Sequence, residues 1–258
     1  MPTRSEQDAL IASMAPARLA PYRAVVNGSD RRAVELYLLD AELASQFHAA
    51  YRAIEVLMMR QRMHEELSAT FGGSWYRTIY PSLDLRTKRR LDEAAQNIGR
   101  GAPEGKVVAQ LMMGTWIGLT DRGGYVEQPR AEASVRRADY QSLLWEPALV
   151  RAFADRGRAA TSPRRDEVSK LARSVGWARN RVNHCESVIF GFPQQGQSQH
   201  GQLRKTPARA YDDLIQLANY LDSEVAQWIR QWPSPKTLID DSRVRLGLAP
   251  RKRVLFQH

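Results

Sequence analysis

Between Arg31 and Ala69 the apolar residues fall on a single stripe: Leu36, Leu39, Leu43, Phe47, Tyr51, Ile54 and Met58 recur at steps of three and four. An α-helix that buries one face uses this period. The spacing predicts a long helix over 31–69 with its stripe in the core, where Met58 and Met59 serve as adaptable packing. Phe71-Gly72-Gly73-Ser74-Trp75 ends it. A second helix is predicted over Thr87–Ile98, with Lys88, Arg89 and Arg90 on its surface. Val107–Leu119, carrying Met112, Met113, Trp116 and Ile117, reads as a buried helix. A short helix runs from Trp145 to about Asp155. Ser162-Pro163 marks the next start, with Ser162 as cap and Pro163 in the first turn, where a missing N–H costs nothing. Asp166 and Glu167 suit the positive end of that helix, and Val168, Leu171, Val175, Ala178 and Val182 form its stripe. Thr206-Pro207 opens the last main helix, whose apolar positions run from Tyr211 to Ile229 with a break at Asp222-Ser223.

The intervening segments are polar. Residues 121–142 read as loop, and so does the glycine- and glutamine-rich stretch Gly191–Thr206. Residues 1–30 read as an arm or short helix interrupted by Pro16 and Pro21. The turn Asn27-Gly28-Ser29-Asp30 closes it, with Ser29 or Asp30 capping the next helix. The expected organisation is an N-terminal arm (1–30), one helical domain (31–235) and a basic tail (236–258) that carries Arg243, Arg245, Arg251, Lys252 and Arg253. Val254-Leu255-Phe256-Gln257 resembles a protease-tag scar, a sequence that says nothing about the fold. No repeat and no convincing set of strands is visible. The fold class is all-α.

The chain has 258 residues, is 43% hydrophobic and carries a net charge of +10. That is enough apolar material for a core, and the charge suits either a polyanionic partner or a merely solvated basic surface. One cysteine rules out an internal disulfide. The first residues include Glu6 and Asp8 and no long apolar run, and no stretch approaches the roughly 20 apolar residues that cross a bilayer. The expectation is a cytoplasmic protein without membrane attachment. Cysteine-rich zinc sites, H-E-x-x-H spacing, phosphate loops and G-x-S-x-G are all missing from the sequence. No cofactor and no metal is expected.

The stretch that carries chemistry is Trp177-Ala178-Arg179-Asn180-Arg181-Val182-Asn183-His184-Cys185-Glu186. Arg179 offers a planar fork of donors for a phosphate, His184 can move a proton near neutral pH, and Asn180 can hydrogen-bond to either. On an ideal helix Arg179 and His184 lie about 140° apart, whereas Asn180 with His184 and Arg179 with Asn183 share faces. One copy would line a groove with His184 while Arg179 reaches round the edge, and a second copy across a dimer axis would complete the cradle. The spacing also arises by chance in many basic helices, so on its own it does not establish a function. Arg60 and His64, four apart, form either a second basic element facing RNA or partners for Glu65 and Glu66. Cys185 beside His184 reads as a packed thiol.

Arg179-Asn180-Arg181-Val182-Asn183-His184-Cys185-Glu186-Ser187-Val188-Ile189-Phe190 closely resembles the signature of the Abi-like (abortive infection) proteins of the HEPN superfamily, roughly Leu-Arg-Asn-Arg-Ile-Ala-His-His-Glu-Pro-Ile-Phe. Arg179, Asn180, Arg181, His184 and Glu186 fall on matching positions. Asn183, Cys185 and Ser187 depart from it. The resemblance extends over about 31–235: the long helix ending in Phe71-Gly72 and Trp75, the apolar segment before the motif and the terminal helix pair are similar, and Glu55 sits where relatives often carry a glutamate near the site. It implies a HEPN-like helical bundle with extra helices and a metal-independent endoribonuclease in which the ribose 2′-OH attacks the neighbouring phosphorus. In that scheme Arg179, Asn180 and His184 are catalytic and Arg181, Glu186 and Glu55 bind RNA or support the site; Arg60 and His64 join this supporting set on their spacing. It further implies an antiphage toxin acting as a homodimer, with an RNA or protein antitoxin as partner. Two other readings remain: a module that only holds a regulatory RNA, and an interaction partner in which the motif merely packs.

Overall fold

The computed structural model describes residues 3–99, 103–128, 136–159, 161–193, 204–231 and 235–248. The architecture is all-α, as the periodicity predicts. The helices are α1 Arg4–Ser13, α2 Pro16–Val25, α3 Asp30–Arg52, α4 Gln61–Phe71, α5 Trp75–Thr78, α6 Leu85–Ile98, α7 Glu104–Gln110, α8 Met113–Leu119, α9 Val150–Ala152, α10 Arg165–Asn183, α11 Pro207–Leu221, α12 Ser223–Gln231, α13 Lys236–Ile239 and α14 Ser242–Leu248. Two π-wound segments, Ala53–Arg60 and Gln141–Leu149, interrupt the α-helical winding. The sheet among the described residues is a two-residue antiparallel pair, β1 Phe192–Pro193 with β2 Arg204–Lys205. No described helix is long and apolar enough to cross a membrane.

By contacts the chain divides into two compact units, one of residues 1–50, 177–212 and 230–258, the other of residues 51–176 and 213–229. In the first unit, Leu36, Leu39, Leu43 and Phe47 of α3 are buried with Leu19 and Tyr22 of α2 and with Val188, Ile189 and Phe192. Tyr22 stacks at a tilt on Phe190, and Phe47 meets Phe192 edge-on at 5.7 Å. Of the arm or short helix expected over residues 1–30, the structure has two helices, α1 and α2. A capping box between Thr3 and Glu6 starts α1, and Pro16 opens α2 in its first turn rather than breaking it. The start of the expected tail is also helical, and Val244 of α14 is buried. Arg251, Lys252, Arg253 and the scar-like tetrapeptide lie outside the described residues, as does most of the loop after β1.

The core of the second unit is aromatic, with Trp75, Trp116, Tyr140 and Phe153 fully buried. Three elements differ from expectation for identifiable reasons. The long helical pattern passes through the π segment at Ala53–Arg60, where wider winding shifts the face. Glu55 is drawn in to 7% exposure while Leu57 is pushed out to 59%. The apolar run Val107–Leu119 breaks at Leu111–Met112 into α7 and α8. In the second unit's part of α10, the helix begins at Arg165, two residues later than Ser162-Pro163 suggests, because Glu167 accepts the Arg164 N–H and fixes the first turn there.

The predicted break at Asp222 is a cap. Its buried carboxylate accepts the N–H groups of Glu224 and Val225 at the start of α12 and receives Arg156 and Arg158. Burial alone would raise its pKa. The Arg156 hydrogen bond, the Val225 N–H and the two guanidinium charges outweigh that and hold the carboxyl below the ordinary aspartate range. A depressed pKa contributes stability that is present above about pH 4 and is lost as the pH falls through the folded value. Asp222→Ala should therefore cost roughly 2 kcal/mol at neutral pH through the lost cap. In thermal melts the gap between wild type and variant should narrow as pH drops below about 4.

Candidate functional site

Ala178 and Val182 bury the inner face of the last turns of α10 in the first unit. Asn180 and Asn183 are left exposed and Arg179 half-exposed. The helix ends in a Schellman turn: Cys185 N–H donates to the Val182 carbonyl and Glu186 N–H to the Arg181 carbonyl, each at 3.0 Å. Cys185 occupies the left-handed position with φ +55°, where glycine is usual because a Cβ crowds the backbone. His184 is the residue between helix and turn. Its N–H still donates to the Asn180 carbonyl at 3.0 Å. Its ring is exposed and makes no hydrogen bond to the described residues.

Arg179 is directed along the helix rather than toward His184. Its Nη1 donates to Asn180 Oδ1 at 3.2 Å. With the Asn183 amide turned so that all its groups are matched, the Asn183 carbonyl accepts from Arg179 Nη1 at 3.1 Å and Nε at 3.3 Å, and its amino group donates to His48 Nδ1 at 3.1 Å. His48, on α3, is itself exposed. Arg181 and Glu186 act differently: they pair across the turn at 2.7 Å, and the Arg181 guanidinium lies over the Trp177 ring at 4.6 Å. Trp177 in turn donates from Nε1 to the Pro193 carbonyl at 2.6 Å. These three side chains brace the helix end.

The segment after the turn is fastened by Asp40, a buried residue of α3. One carboxylate oxygen accepts the N–H groups of Val188 and Ile189 at 2.8 Å each, and the other accepts the Tyr22 hydroxyl at 2.5 Å. Burial and the Asp40 charge push the Tyr22 hydroxyl far above its ordinary pKa, so it stays a proton donor. Gly191 comes next with φ +76°, and a Cβ there would stand 2.7 Å from the Lys205 carbonyl oxygen, so only glycine fits the entry to β1. Between α2, α3 and the helix end lies a groove of about 1080 Å³, its wall including Arg18, Tyr37, Ser45, His48, Asn183 and Cys185. His184, expected to line a groove completed by a second copy, does not line this one. The left-handed turn at Cys185 places Asn183, Cys185 and Glu186 on the lining, and His184 is not part of it.

Glu55, Arg60 and His64 belong to the second unit. Glu55 is buried and not a surface charge: it accepts the Met113 N–H at 3.0 Å. Arg60 donates to the Leu111 carbonyl at 3.1 Å. The two residues thus hold both sides of the α7–α8 break. His64 Nδ1 accepts from Trp75 Nε1 at 3.0 Å, and burial lowers its pKa despite the nearby Glu65, so it is a neutral structural acceptor rather than part of a basic face. Sequence reasoning missed His48 and Asp40. His48 stands 135 positions from Asn183, and no spacing rule joins them. Asp40 offered one signal, an acidic residue directly beside the apolar stripe of α3.

Among the described residues no three His, Cys, Asp or Glu side chains gather as metal ligands would. Compared with protein-family models, curated proteins and solved structures, the chain matches none.

The left-handed Cys185 carries a strain that glycine lacks. Cys185→Gly should raise stability by about 1 kcal/mol, and Cys185→Val, β-branched at the same φ, should lower it by about as much or more. Urea denaturation of the two variants beside wild type checks both signs. An identical midpoint for all three would show that the turn is not left-handed in solution.

Proposed function

We propose that the protein is a metal-independent endoribonuclease of the HEPN type, the toxin of an abortive-infection system directed against phage. The resemblance of residues 179–190 to the Abi-like signature supports this reading. The observation that carries it lies at one braced helix end. A histidine stands exposed there, with no ring partner among the described residues, and the same helix end carries a guanidinium bonded by two asparagines. A motif that merely packed would have its imidazole occupied. In the proposed reaction the ribose 2′-OH attacks the adjacent phosphorus, His184 moves a proton and Arg179 neutralises charge on the phosphate oxygens. Asn180 and Asn183 aim the guanidinium. Arg181 and Glu186 keep the turn in shape. The net charge of +10 draws the polyanionic substrate, and an RNA or protein antitoxin would restrain the activity.

Purified protein should cut RNA in the presence of EDTA and leave 2′,3′-cyclic phosphate and 5′-hydroxyl ends. His184→Ala should slow cleavage by about 10²–10⁴-fold without moving the melting temperature, because the ring is exposed. Arg179→Ala should slow cleavage and also weaken RNA binding. Wild type that binds RNA and leaves it intact would instead identify a module that holds RNA.

Arg179 and His184 leave the helix in different directions, so the composite site needs a second copy. Light scattering should give a homodimer, and mixing the inactive Arg179→Ala and His184→Ala chains should restore part of the activity by re-forming one intact site per mixed dimer. A monomer that cuts RNA, or a mixture that stays silent despite exchanging subunits, would remove the composite site.

A further inference from the structure

Cleavage by 2′-OH attack moves two protons: one leaves the nucleophile and one reaches the departing 5′-oxygen. His184 can serve only one of these at a time. Among the described residues two histidines have exposed rings, His184 and His48, while His64 is occupied by Trp75. His48 lies on the groove wall with Nδ1 3.1 Å from the side-chain amide of Asn183, the residue directly before His184. We propose that His48 is the second proton-transfer residue of the site, the general acid that protonates the 5′-oxygen, with His184 as the base. The proposal rests on the RNA-cleavage reading.

The 2′-hydroxyl proton passes to His184 as the 2′-oxygen bonds to phosphorus. The bond from phosphorus to the 5′-oxygen breaks, and that oxygen takes the proton carried by the His48 imidazolium. Water then returns both rings to their starting states. Asn183 is suited to a ring that changes charge. In one orientation its carbonyl accepts from the protonated Nδ1 at 3.1 Å. In the other its amino group donates to the unprotonated Nδ1, while the carbonyl receives Arg179. Both states of His48 therefore keep a partner on Nδ1, and Nε2 has none among the described residues. Protonation of His48 also turns the Asn183 carbonyl away from Arg179, which keeps its bond to Asn180 Oδ1.

A sulfur in place of the 5′-oxygen tests the assignment, because a thiolate leaves without being protonated. The substrates are a single-stranded RNA containing a bond that wild type cuts, and the same RNA with a 5′-bridging phosphorothiolate at that bond. Full-length His48→Ala should cut the natural bond about 10²–10⁴-fold more slowly than wild type and the sulfur-substituted bond at close to the wild-type rate. His48→Gln, which keeps a hydrogen-bonding group facing Asn183 but cannot transfer the proton, should show the same rescue. His184→Ala should be slow on both. If His48→Ala cuts the natural bond at the wild-type rate, or is equally slowed on both bonds, His48 is not the acid and the RNA-cleavage reading stands without it. If wild type cuts no RNA, the cleavage reading itself fails and this assignment falls with it.

Discussion

The Asp40 carboxylate accepts the N–H groups of Val188 and Ile189 and the hydroxyl of Tyr22, and the layout of the first unit depends on it. All of these groups are buried or nearly so, and an orphaned buried donor costs about 1–3 kcal/mol. Hydrogen bonds to an ionised acceptor are roughly twice as strong as neutral ones. The chain leaving α10 is therefore held to one course. It must reverse within a few residues so that two consecutive N–H groups meet the carboxylate, and the reversal falls on Cys185. The left-handed strain at that residue is the cost of reaching Asp40 with a non-glycine side chain.

This anchoring shapes what the helix end presents. Because the turn starts directly after His184, that ring stands at the junction of helix and loop instead of on a helical face. Because Arg181 and Glu186 pair across the turn and Trp177 reaches the Pro193 carbonyl, the junction is stiff. The polar side, Arg179 to Asn183 to His48, is a chain of exposed or half-exposed groups whose hydrogen bonds can be exchanged for those of a ligand at little cost. A braced turn beside exchangeable polar groups suits a site that must orient a phosphate and move protons.

The sequence carried the elements that depend on periodicity or on local caps. The stripe from Leu36 to Met58, the break at Asp222 and the placement of Arg179 and Asn183 on one face are all readable from spacing. What stayed hidden depends on long-range partners. Nothing local distinguishes Glu55 from a surface glutamate until the π winding turns it toward the Met113 N–H. The split of Val107–Leu119 into α7 and α8 has no glycine or proline to announce it. It is stabilised by Glu55 and Arg60, more than 50 positions away in sequence. His48 is likewise visible only once α3 is laid beside the end of α10 within the first unit. At the N-terminus the helical alternative holds, and Pro16 is a helix start rather than an interruption.

Histidine and arginine occur in both units, and residue type alone does not say which of them meet a substrate. In the second unit His64 has its Nδ1 filled by an indole donor and a lowered pKa, and Arg60 is committed to a backbone carbonyl. Those bonds close a helix break and fix Trp75 in an aromatic core, so surrendering them would expose buried groups. In the first unit the His184 ring has no such commitment among the described residues, and His48 bonds an exposed asparagine that can satisfy either protonation state. Whether a ring nitrogen is occupied by the fold is thus the physical criterion that separates the structural histidine from the two available for chemistry. By that criterion the available pair belongs to the first unit, where Asn183 links His48 to Arg179 and Asn180 also accepts from Arg179.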